Sequence, residues 1–453
     1  MTVSTQIHAL TDVGNGERFA RDHAKVARYV GAWRRWLVWN GKRWKLDDEW
    51  AVMRLAKRTA KEIISDARGI ENAELQEDIA KHWIASQARS RLDSMVYLAA
   101  SEKPFPINHE HLDADSELLN CGNGVVDLTT GELLPHSSGR LMSLSTNVEY
   151  PDDAGAESPL WLDFLDRIFA GDVDLIRFLQ RLMGVALFGE QREHLLPVFH
   201  GNGANGKSVF VSAVQHALGE YAVAAPPGLL IASNNERHPT ELAVLFRRRL
   251  VVVSETRDAQ RLDEGLVKAI TGGDRIAARR MREDFWEFNP SHLAIVVTNH
   301  RPIVRGTDNG IWRRLRLVPF EVTIPPEEQD RTLPEKLRRE APAILKWMVQ
   351  GCLDWQRHRL SEPPAVMVAT QEYRTESDTL ARWIADECVE LAVATMLAGD
   401  GFACYQAWCE REGEAAMSLK KFGERMRSKY ANRRSKKGRI YEGIGLRGDG
   451  SDP

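Results

Sequence analysis

One stretch of the chain has the residue types and spacing needed to bind a phosphorylated ligand. An apolar run at 195–199 leads into a glycine-rich turn and then into a segment that opens like a helix. The turn fits G-x-x-x-x-G-K-[ST], the phosphate loop, in which glycines let successive backbone N–H groups point at phosphate oxygens. Its residues are Gly201, Asn202, Gly203, Ala204, Asn205, Gly206, Lys207 and Ser208.

The last two residues of this pattern have separate roles. Lys207 would reach the β and γ phosphates of a nucleoside triphosphate, and the Ser208 hydroxyl would hold Mg²⁺. The N-terminus of the following helix adds the positive end of its dipole. The alternative is a glycine-rich surface turn with a solvated lysine, and the flanking apolar run and helix argue against it.

An acidic residue follows the next β-branched run. Residues 250–253 are apolar and end in Ser254 and Glu255, as expected for a buried parallel strand that delivers a carboxylate to the phosphate edge of a sheet. Glu255 is the candidate base that orients the attacking water, and we place it with Ser208 at the metal. Ser254 occupies a position that is usually Asp in such ATPases.

Two further polar groups adjoin predicted strands. Asn299 follows the apolar run 292–297, where its amide would contact the γ-phosphate or the attacking water. A turn-forming Asn before Pro302 is the alternative. Arg313 and Arg314 precede the run LRLVPF, and an arginine there would project onto the γ-phosphate of a neighbouring subunit. A surface Arg pair is the alternative.

Two segments are strongly basic although the net charge of the chain is only −3. The first has hairpin-like patterning with aromatic residues, and its candidate DNA contacts are Lys268, Arg279, Arg280 and Arg282. The second follows three short predicted helices near the C-terminus and ends in a basic hairpin, an order that suggests a winged helix. Its candidate DNA contacts are Lys420, Lys421, Arg433, Arg434, Lys436 and Lys437.

Taken together, five motifs resemble those of superfamily 3 helicases. They are the glycine-rich loop, the strand ending in SE, KAITGGD with its basic continuation, the strand ending in TN, and WRRL-x-L-V-P-F. More closely, they resemble the helicase part of the primase-helicases of phages, plasmids and large DNA viruses. The resemblance covers about 18–446, because the Trp-rich hairpin and NGVVDLTTG are similar to the domain that precedes the helicase in that family.

This resemblance implies an AAA+-type core that assembles as a hexameric ring, with ATP at the subunit interfaces. Lys207 and Ser208 match its phosphate-loop pair, Glu255 its catalytic acid, Asn299 its sensor, and Arg313 or Arg314 its arginine finger. Lys268, Arg279 and Arg280 match the motif whose hairpin grips single-stranded DNA in the central channel. Movement along DNA in that superfamily runs 3′ to 5′.

The predicted fold class is α/β, with an α+β N-terminal domain, an AAA+-type P-loop core and a C-terminal winged helix. A polar, Pro-flanked segment at 151–159 predicts the first boundary. We place a Trp-rich α+β domain at 1–155, the helicase core with its preceding helices at 156–330, a helical lid or linker at 331–375 and the winged helix at 376–453.

Composition places the chain among ordinary globular proteins. It has 453 residues, of which 43% are hydrophobic and 28% charged. No apolar run has the length of a membrane span, so we expect a cytoplasmic protein, in the bacterial host if a phage or plasmid encodes it. The five cysteines lack zinc-ligand spacing and are expected to be reduced and mostly buried.

Four features of the N-terminal region bear on its fold and function. The tryptophans at 33, 36, 39, 44 and 50 would either pack a small core or stack on bases, and we favour the core. Asn40-Gly41 predicts a hairpin with a type I′ turn. A helix over 49–67 carries basic residues that we expect to be solvated. Asp113 and Asp115 would suit a primase metal pair, but no third ligand follows at a suitable distance.

We therefore predict an ATP-dependent replicative DNA helicase that acts on single-stranded and forked DNA as a homo-hexamer. Its cofactors would be ATP and Mg²⁺, and its further partners a separate primase, polymerase or origin-binding protein. A bifunctional primase-helicase, an AAA+ DNA packaging or initiator motor, and a scaffold that uses ATP only for assembly remain as alternatives.

Overall fold

A five-stranded parallel sheet carries the phosphate-loop segment. In the computed structural model, residues 8–151, 158–233, 240–254, 260–279, 285–304, 309–414 and 416–447 are described. The fold is mixed α/β. The strands of the central sheet lie side by side in the order 315–319, 196–200, 293–298, 250–254 and 222–224. Glu255, Arg280 and Arg282 lie outside the described residues.

The N-terminal region combines four helices with a small sheet. Its elements are α1 (Asp12–His23), β1 (Ala27–Val30), β2 (Arg35–Trp39), β3 (Trp44–Leu46), α2 (Ala51–Glu62), α3 (Ala73–Ser86), α4 (Arg89–Ala99) and β4 (Pro106–Ile107). A three-stranded antiparallel sheet follows, formed by β5 (Leu118–Asn120), β6 (Val125–Asp127) and β7 (Leu133–Leu134).

The central region contains two helices and then the parallel sheet with its connections. Its elements are α5 (Pro159–Ile168), α6 (Val173–Val185), β8 (Leu196–His200), α7 (Lys207–Leu218), β9 (Ala222–Ala224), α8 (Thr240–Ala243), β10 (Leu250–Ser254), α9 (Glu264–Thr271), β11 (Ile276–Arg279), β12 (Phe285–Phe288), β13 (Leu293–Thr298), α10 (Asn309–Trp312) and β14 (Leu315–Pro319).

The C-terminal region begins with helices and ends in a second mixed unit. Its elements are α11 (Leu333–Arg339), α12 (Ala341–His358), α13 (Pro364–Ser377), α14 (Thr379–Glu387), β15 (Cys388–Val389), β16 (Thr395–Leu397), α15 (Ala398–Arg411), α16 (Leu419–Lys429), β17 (Asn432–Ser435), β18 (Gly438–Glu442) and β19 (Gly445–Leu446).

The central sheet is buried on both faces, which explains its near-continuous apolar strands. Alternate residues of one strand enter different cores: Val252 packs on the α6 and α7 side, whereas Val251 and Val253 pack on the opposite side. The strands predicted at 250–253 and 292–297 are confirmed within one residue. Since all five strands are parallel, their carboxyl ends meet at a single edge.

Helix α12, in the segment predicted as a lid or linker, packs into this core against α6. The two backbones touch because a Cβ on Gly184 would lie 2.2 Å from Cys352 N, and one on Gly351 would lie 2.0 Å from Gln180 O. The Gln180 side chain also donates to Trp347 O at 3.0 Å. This segment therefore supports the sheet directly.

The core also extends across the predicted boundary near residue 155. Leu119, Val126 and Leu128 belong to the same buried cluster as Trp161 and Phe178. Within the described residues, the core is therefore shared by both sides of this boundary.

Local chemistry corrects one prediction and sets the start of α5. The hairpin of β2 and β3 forms, but its loop is wider than a type I′ turn: only Gly41 has positive φ, and the Asn40 side chain accepts from Lys42 N and Arg43 N. At the start of α5, Ser158 is the N-cap residue but makes no capping bond, since its hydroxyl donates to Glu340 instead.

The tryptophan prediction holds for most of the hairpin. Trp44 is 1% exposed, and Trp36 packs edge-on against Phe105. Trp50 differs, with 73% exposure. All five cysteines are free thiols, and four of them are buried, as predicted. Among the described residues, no helix is both long and apolar enough to cross a membrane.

A buried arginine ties the N-terminal sheet to the central one. Arg249 is 2% exposed, donates to Leu118 O at 2.6 Å and also to Leu187 O, and lies 4.5 Å from the Tyr221 ring centroid. Burial lowers the pKa of Arg249. Backbone carbonyls and an aromatic face thus solvate a cation that has no carboxylate within bonding distance in the described chain.

Arg249→Ala should therefore lower the free energy of unfolding by roughly 2–5 kcal/mol, because two buried carbonyls lose their donor and a cavity opens. Urea denaturation measures this, with Arg68→Ala at an exposed site as the control. A loss no larger than that of the control would contradict this role.

Candidate functional site

The glycine-rich turn forms a close-fitting loop between β8 and α7. Gly203 and Gly206 have φ of 95° and 81°, values that favour glycine. A Cβ on Gly201 would lie 2.1 Å from Phe320 O, and one on Gly206 would lie 2.6 Å from Ile168 Cγ2. Close packing therefore requires glycine at both ends of the loop.

The backbone of this loop presents a row of free donors. In the described chain, the N–H groups of Gly203, Ala204, Asn205 and Gly206 donate to no protein acceptor. Carbonyl contacts hold the loop from behind instead, since Ile324 N donates to Ala204 O at 2.7 Å. Successive free N–H groups in a concave turn form an anion-binding nest.

Lys207 is buried at the mouth of this nest. Its Nζ donates to Gly201 O at 2.6 Å and to Asn205 Oδ1 at 3.1 Å, and its side chain is 4% exposed. Burial lowers the pKa of Lys207 to about 8, so the ammonium stays mostly charged at neutral pH. The described residues supply no carboxylate to pair with it, and phosphate oxygens would complete its coordination.

Asn205, one of the predicted loop residues, contacts both Lys207 and the end of a neighbouring strand. It is 4% exposed, accepts from Lys207 and donates through Nδ2 to Phe320 O at 3.1 Å, at the end of β14. The side chain therefore couples the lysine to a neighbouring strand. Its position inside the variable part of the motif carried no signal of these contacts.

Polar residues meet the loop at the carboxyl edge of the sheet. In the parallel sheet, Thr298 of β13 lies beside His200 of β8, and Ser254 of β10 lies beside Val297 of β13. Ser208, Ser254 and Asn299 are all exposed at the ends of their elements. The predicted convergence of β8, β10 and β13 is thus present, while the position of Glu255 lies outside the described residues.

His200 and Arg301 are polar residues beside the loop that sequence reasoning missed. Burial, together with the charges of Arg301 and Lys207, lowers the pKa of His200 to about 4, so its ring is neutral at neutral pH. Arg301 pairs with Glu376 at 2.5 Å, and both Arg301 and His200 line a 240 Å³ cavity beside Gly201. Glu321 and Glu372 line the same cavity.

An apolar cavity opens on the other side of the loop. Its volume is about 430 Å³, and Ala204 and Gly206 form part of its wall. Its apolar lining comprises Leu160, Phe164, Val209, Ile324 and Leu333. The cavity has the size and chemistry of a site for a flat, mostly apolar group next to bound phosphates.

The two candidate finger arginines occupy different environments. Arg314 is 9% exposed, and it donates to Thr271 Oγ1 at 3.0 Å and to Gly310 O at 2.6 Å. Arg313 is exposed. Both precede β14, whose first residue pairs with Leu196, so they lie at the edge of the sheet opposite the phosphate loop. Only Arg313 is free to contact another subunit.

The predicted basic hairpin is present in part. Helix α9 ends at Gly272-Gly273, and β11 and β12 then pair antiparallel from Ile276 with Phe288 to Arg279 with Phe285. Arg279 lies 5.2 Å from the Phe285 ring centroid, and Lys268 is half-buried on α9. Arg280 and Arg282 fall on the intervening segment, outside the described residues.

The C-terminal unit exposes its basic residues. Helices α14, α15 and α16 enclose a core that includes Trp383, Tyr405 and Phe422, and β16-β18-β17 form the adjoining sheet. Lys420 and Lys421 are exposed on α16, and Lys436 and Lys437 form the exposed turn between β17 and β18. Arg434 is exposed as well, whereas Arg433 pairs with Glu442 at 2.8 Å.

The carboxylates considered as a metal pair have structural partners instead. Asp113 accepts from Ser143 N at 2.7 Å and from Leu144 N at 3.1 Å, and Asp115 accepts from Glu117 N. Within the described residues, no group of three or more His, Cys, Asp or Glu side chains is arranged to hold a metal ion.

Comparison with known proteins gives two adjoining family matches. The family described as "D5 N terminal like" matches residues 16–170, and a "Family of unknown function (DUF5906)" matches residues 199–314. A "Putative helicase" of Acanthamoeba polyphaga mimivirus is 26% identical over 301 residues, which are 62% of this chain and 31% of that protein. These matches show that the chain resembles the D5-like primase-helicases of large DNA viruses.

Other relatives of this D5-like chain carry related names. A "Putative helicase" of Invertebrate iridescent virus 6 is 23% identical over 62% of this chain and 32% of its own length. A "Putative primase" of African swine fever virus (isolate Tick/Malawi/Lil 20-1/1983) is 24% identical over 62% of this chain and 31% of its own length. The matched part is thus about a third of each relative.

A solved structure has a similar fold. The A form apo structure of the NrS-1 C-terminal region aligns over 96% of this chain and 100% of that chain, with a TM-score of 0.50 and 9% sequence identity. At this identity, the similarity concerns the fold alone.

The two candidate arginine fingers, Arg313 and Arg314, can be distinguished by how their substitution changes the stability of the protein. Arg314→Ala should lower the free energy of unfolding by roughly 1–3 kcal/mol, because Thr271 and Gly310 lose a buried partner. Arg313→Ala should change it by less than about 0.5 kcal/mol, as expected at an exposed site. Denaturant titration of both variants tests this, and equal losses would show that the two side chains are not in these different environments.

Proposed function

We propose that this chain is an ATP-dependent DNA helicase of DNA replication that works as a ring of identical subunits. The observation that carries the proposal is the row of four free N–H groups around the buried ammonium of Lys207. A triphosphate satisfies both the donors and the cation, and few other ligands carry enough negative charge in so small a volume.

In this proposal each loop group has a defined task. Lys207 leaves Gly201 O and donates to the β and γ phosphates, while Asn205 keeps its amine in place. The exposed hydroxyl of Ser208 would hold Mg²⁺, with Glu255 as the second candidate ligand, and a bound ion would supply positive charge next to the phosphates. Glu255 orients the water as general base, and Asn299 donates to the γ-phosphate or to that water.

The apolar cavity beside the loop would hold the nucleobase. Its lining begins at Ala204 and Gly206, next to the phosphate nest, and continues over Phe164 and Ile324. This placement gives α5, which precedes the core in sequence, a direct part in nucleotide binding.

The position of Arg313 supports an intersubunit active site. It lies at the edge of the sheet opposite the phosphate loop, so it cannot serve the nucleotide of its own subunit. A head-to-tail ring brings that edge to the loop of the next copy, where the guanidinium stabilises charge on the γ-phosphate. We propose a hexamer on the family resemblance.

Two surfaces would contact DNA. The hairpin of β11 and β12, with Lys268, Arg279, Arg280 and Arg282, would line the channel and follow the backbone of a single strand, with 3′ to 5′ movement by family resemblance. The C-terminal unit would act as a winged helix through Lys420, Lys421, Arg433, Arg434, Lys436 and Lys437. The helix and strand order α14-β16-α15-α16-β17-β18 supports this assignment.

A bifunctional primase-helicase is the second candidate, because some relatives are named as primases. The described residues provide no metal cluster for priming, so the helicase alone is the better-supported proposal. Primer synthesis on a single-stranded template would decide between the two.

Strand displacement on a forked substrate separates a helicase from a packaging or initiator motor with the same ATPase.

The active site is tested by mixing two inactive variants. Lys207→Ala should abolish ATP hydrolysis through loss of phosphate binding, and Arg313→Ala should lower kcat by about 10³-fold or more. A mixture should regain activity well above either variant alone, since some interfaces combine an intact Lys207 with a neighbour's intact Arg313.

The control is a mixture of Lys207→Ala with Lys207→Ala, Arg313→Ala, which has no intact loop and should stay inactive. Failure of the first mixture to recover, with subunit exchange confirmed by labelled protein, would refute the intersubunit site. Failure of the parent chain to hydrolyse ATP with Mg²⁺ and DNA would refute the proposed function itself.

A further inference from the structure

Helix α2 of the N-terminal region exposes a basic face to solvent. Arg54, Lys57, Arg58 and Lys61 are all exposed, whereas Val52, Ala56, Thr59 and Ala60 on the opposite face are buried. The helix is therefore strongly amphipathic, and its outer face is a stripe of four cations spaced by three and four residues. We name these four residues the α2 stripe.

This spacing is unfavourable for the helix alone. Arg54 with Arg58 and Lys57 with Lys61 are like-charge pairs four residues apart, which destabilise a helix. None of the four side chains forms an ion pair among the described residues, and of the four only the Arg54 side chain makes a hydrogen bond there, donating to Glu49 O at 2.5 Å. The backbone carbonyl of Lys61 accepts from Trp83 Nε1 at 3.2 Å. A partner with negative charge would remove the repulsion.

A tryptophan stands at the end of the same stripe. Trp50 immediately precedes α2, is 73% exposed and has φ of 60°, a conformation that bulky residues rarely adopt. Asp47 caps the helix in its place, accepting from Ala51 N at 2.7 Å and from Val52 N at 2.9 Å. Trp50 thus lies at the N-terminal end of the helix that carries the stripe.

Acidic residues near the stripe do not neutralise it. Glu62 lies at the last turn of α2 and forms no ion pair with the stripe among the described residues. Asp48 and Glu49 precede Trp50 in the loop and are exposed. The stripe thus remains a continuous basic track of two helical turns with an aromatic ring at one end.

We infer that the α2 stripe and Trp50 form a second binding surface for single-stranded DNA, on the N-terminal region and apart from the channel hairpin and the C-terminal unit. The four cations contact backbone phosphates and the indole stacks on a base, the combination that sequence-independent single-strand binding uses. The choice of DNA as the polynucleotide rests on the proposed function.

Other occupants fit the surface less well. An anionic membrane would attract the cations, but the apolar side of α2 is buried in the protein and only Trp50 is left to insert. An acidic protein segment would pair with the cations but would not explain an exposed indole in a strained conformation. A stacking base satisfies the indole and the phosphates satisfy the cations.

The test is titration of the full chain with fluorescent oligothymidylate at several salt concentrations, without nucleotide or Mg²⁺. Lys57→Gln with Lys61→Gln should weaken binding and reduce the slope of log K against log salt by about 1.4, since each lost phosphate contact on a single strand accounts for about 0.7. Photocrosslinking with 5-iodouracil DNA should label the peptide that contains Trp50, and Trp50→Leu should remove that label.

The matched control is Lys81→Gln with Arg89→Gln, which removes two exposed cations of the same region that face Glu77 and Asp93. Its slope should equal that of the parent. Loss of Lys57 and Lys61 also removes repulsion, so the melting temperature should not fall, and a fall would itself contradict the like-charge argument.

An unchanged slope in Lys57→Gln with Lys61→Gln, or crosslinking that spares Trp50, would overturn the inference. So would a variant that keeps its DNA slope but loses binding to phosphatidylserine vesicles. Because the titration contains no nucleotide, these outcomes are independent of ATP hydrolysis, and a failed ATPase would not produce them.

Discussion

The contact between the Lys207 ammonium and the carbonyl of Gly201 is the interaction on which the site depends. It places a cation inside a turn whose N–H groups are free, and Lys207 itself is only 4% exposed. Such an arrangement is costly without an anion, because burial disfavours the charged amine. The arrangement is therefore preorganised for a ligand with several negative charges, and the nearby sheet edge supplies polar groups that suit the same ligand.

The surrounding fold keeps this contact in place from several directions. Asn205 links the lysine to Phe320 at the end of β14, and α12 packs on α6 through two glycines beneath the same sheet. Arg249 joins β10 to the N-terminal sheet by carbonyl contacts.

Local patterns in the sequence predicted much of this arrangement. The phosphate loop, the buried parallel strands and the antiparallel hairpin after α9 follow from glycine placement, β-branched runs and alternation, which are short-range signals. Family resemblance is confirmed by the matches to D5-like proteins. The catalytic roles, the metal, the ring and the DNA contacts stay predictions.

Long-range packing could not be predicted in the same way. Nothing local to Arg314 distinguishes it from Arg313, because its burial depends on Thr271, which lies 43 positions away in the chain. Asn205 acts through Phe320, 115 positions away. The predicted boundary near 155 reflected composition, whereas the core there is continuous. Trp50 resembled the other tryptophans in sequence and differs only because Asp47 takes over the helix cap.

The most direct measurement is particle imaging of the chain with a non-hydrolysable ATP analogue, Mg²⁺ and single-stranded DNA. The account predicts phosphate oxygens against the N–H groups of 203–206, with Lys207 Nζ moved from Gly201 O to the phosphates and Arg313 of a neighbouring copy beside the γ-phosphate. An analogue bound elsewhere, or a Lys207 that keeps its contact with Gly201 while the analogue is bound, would contradict it.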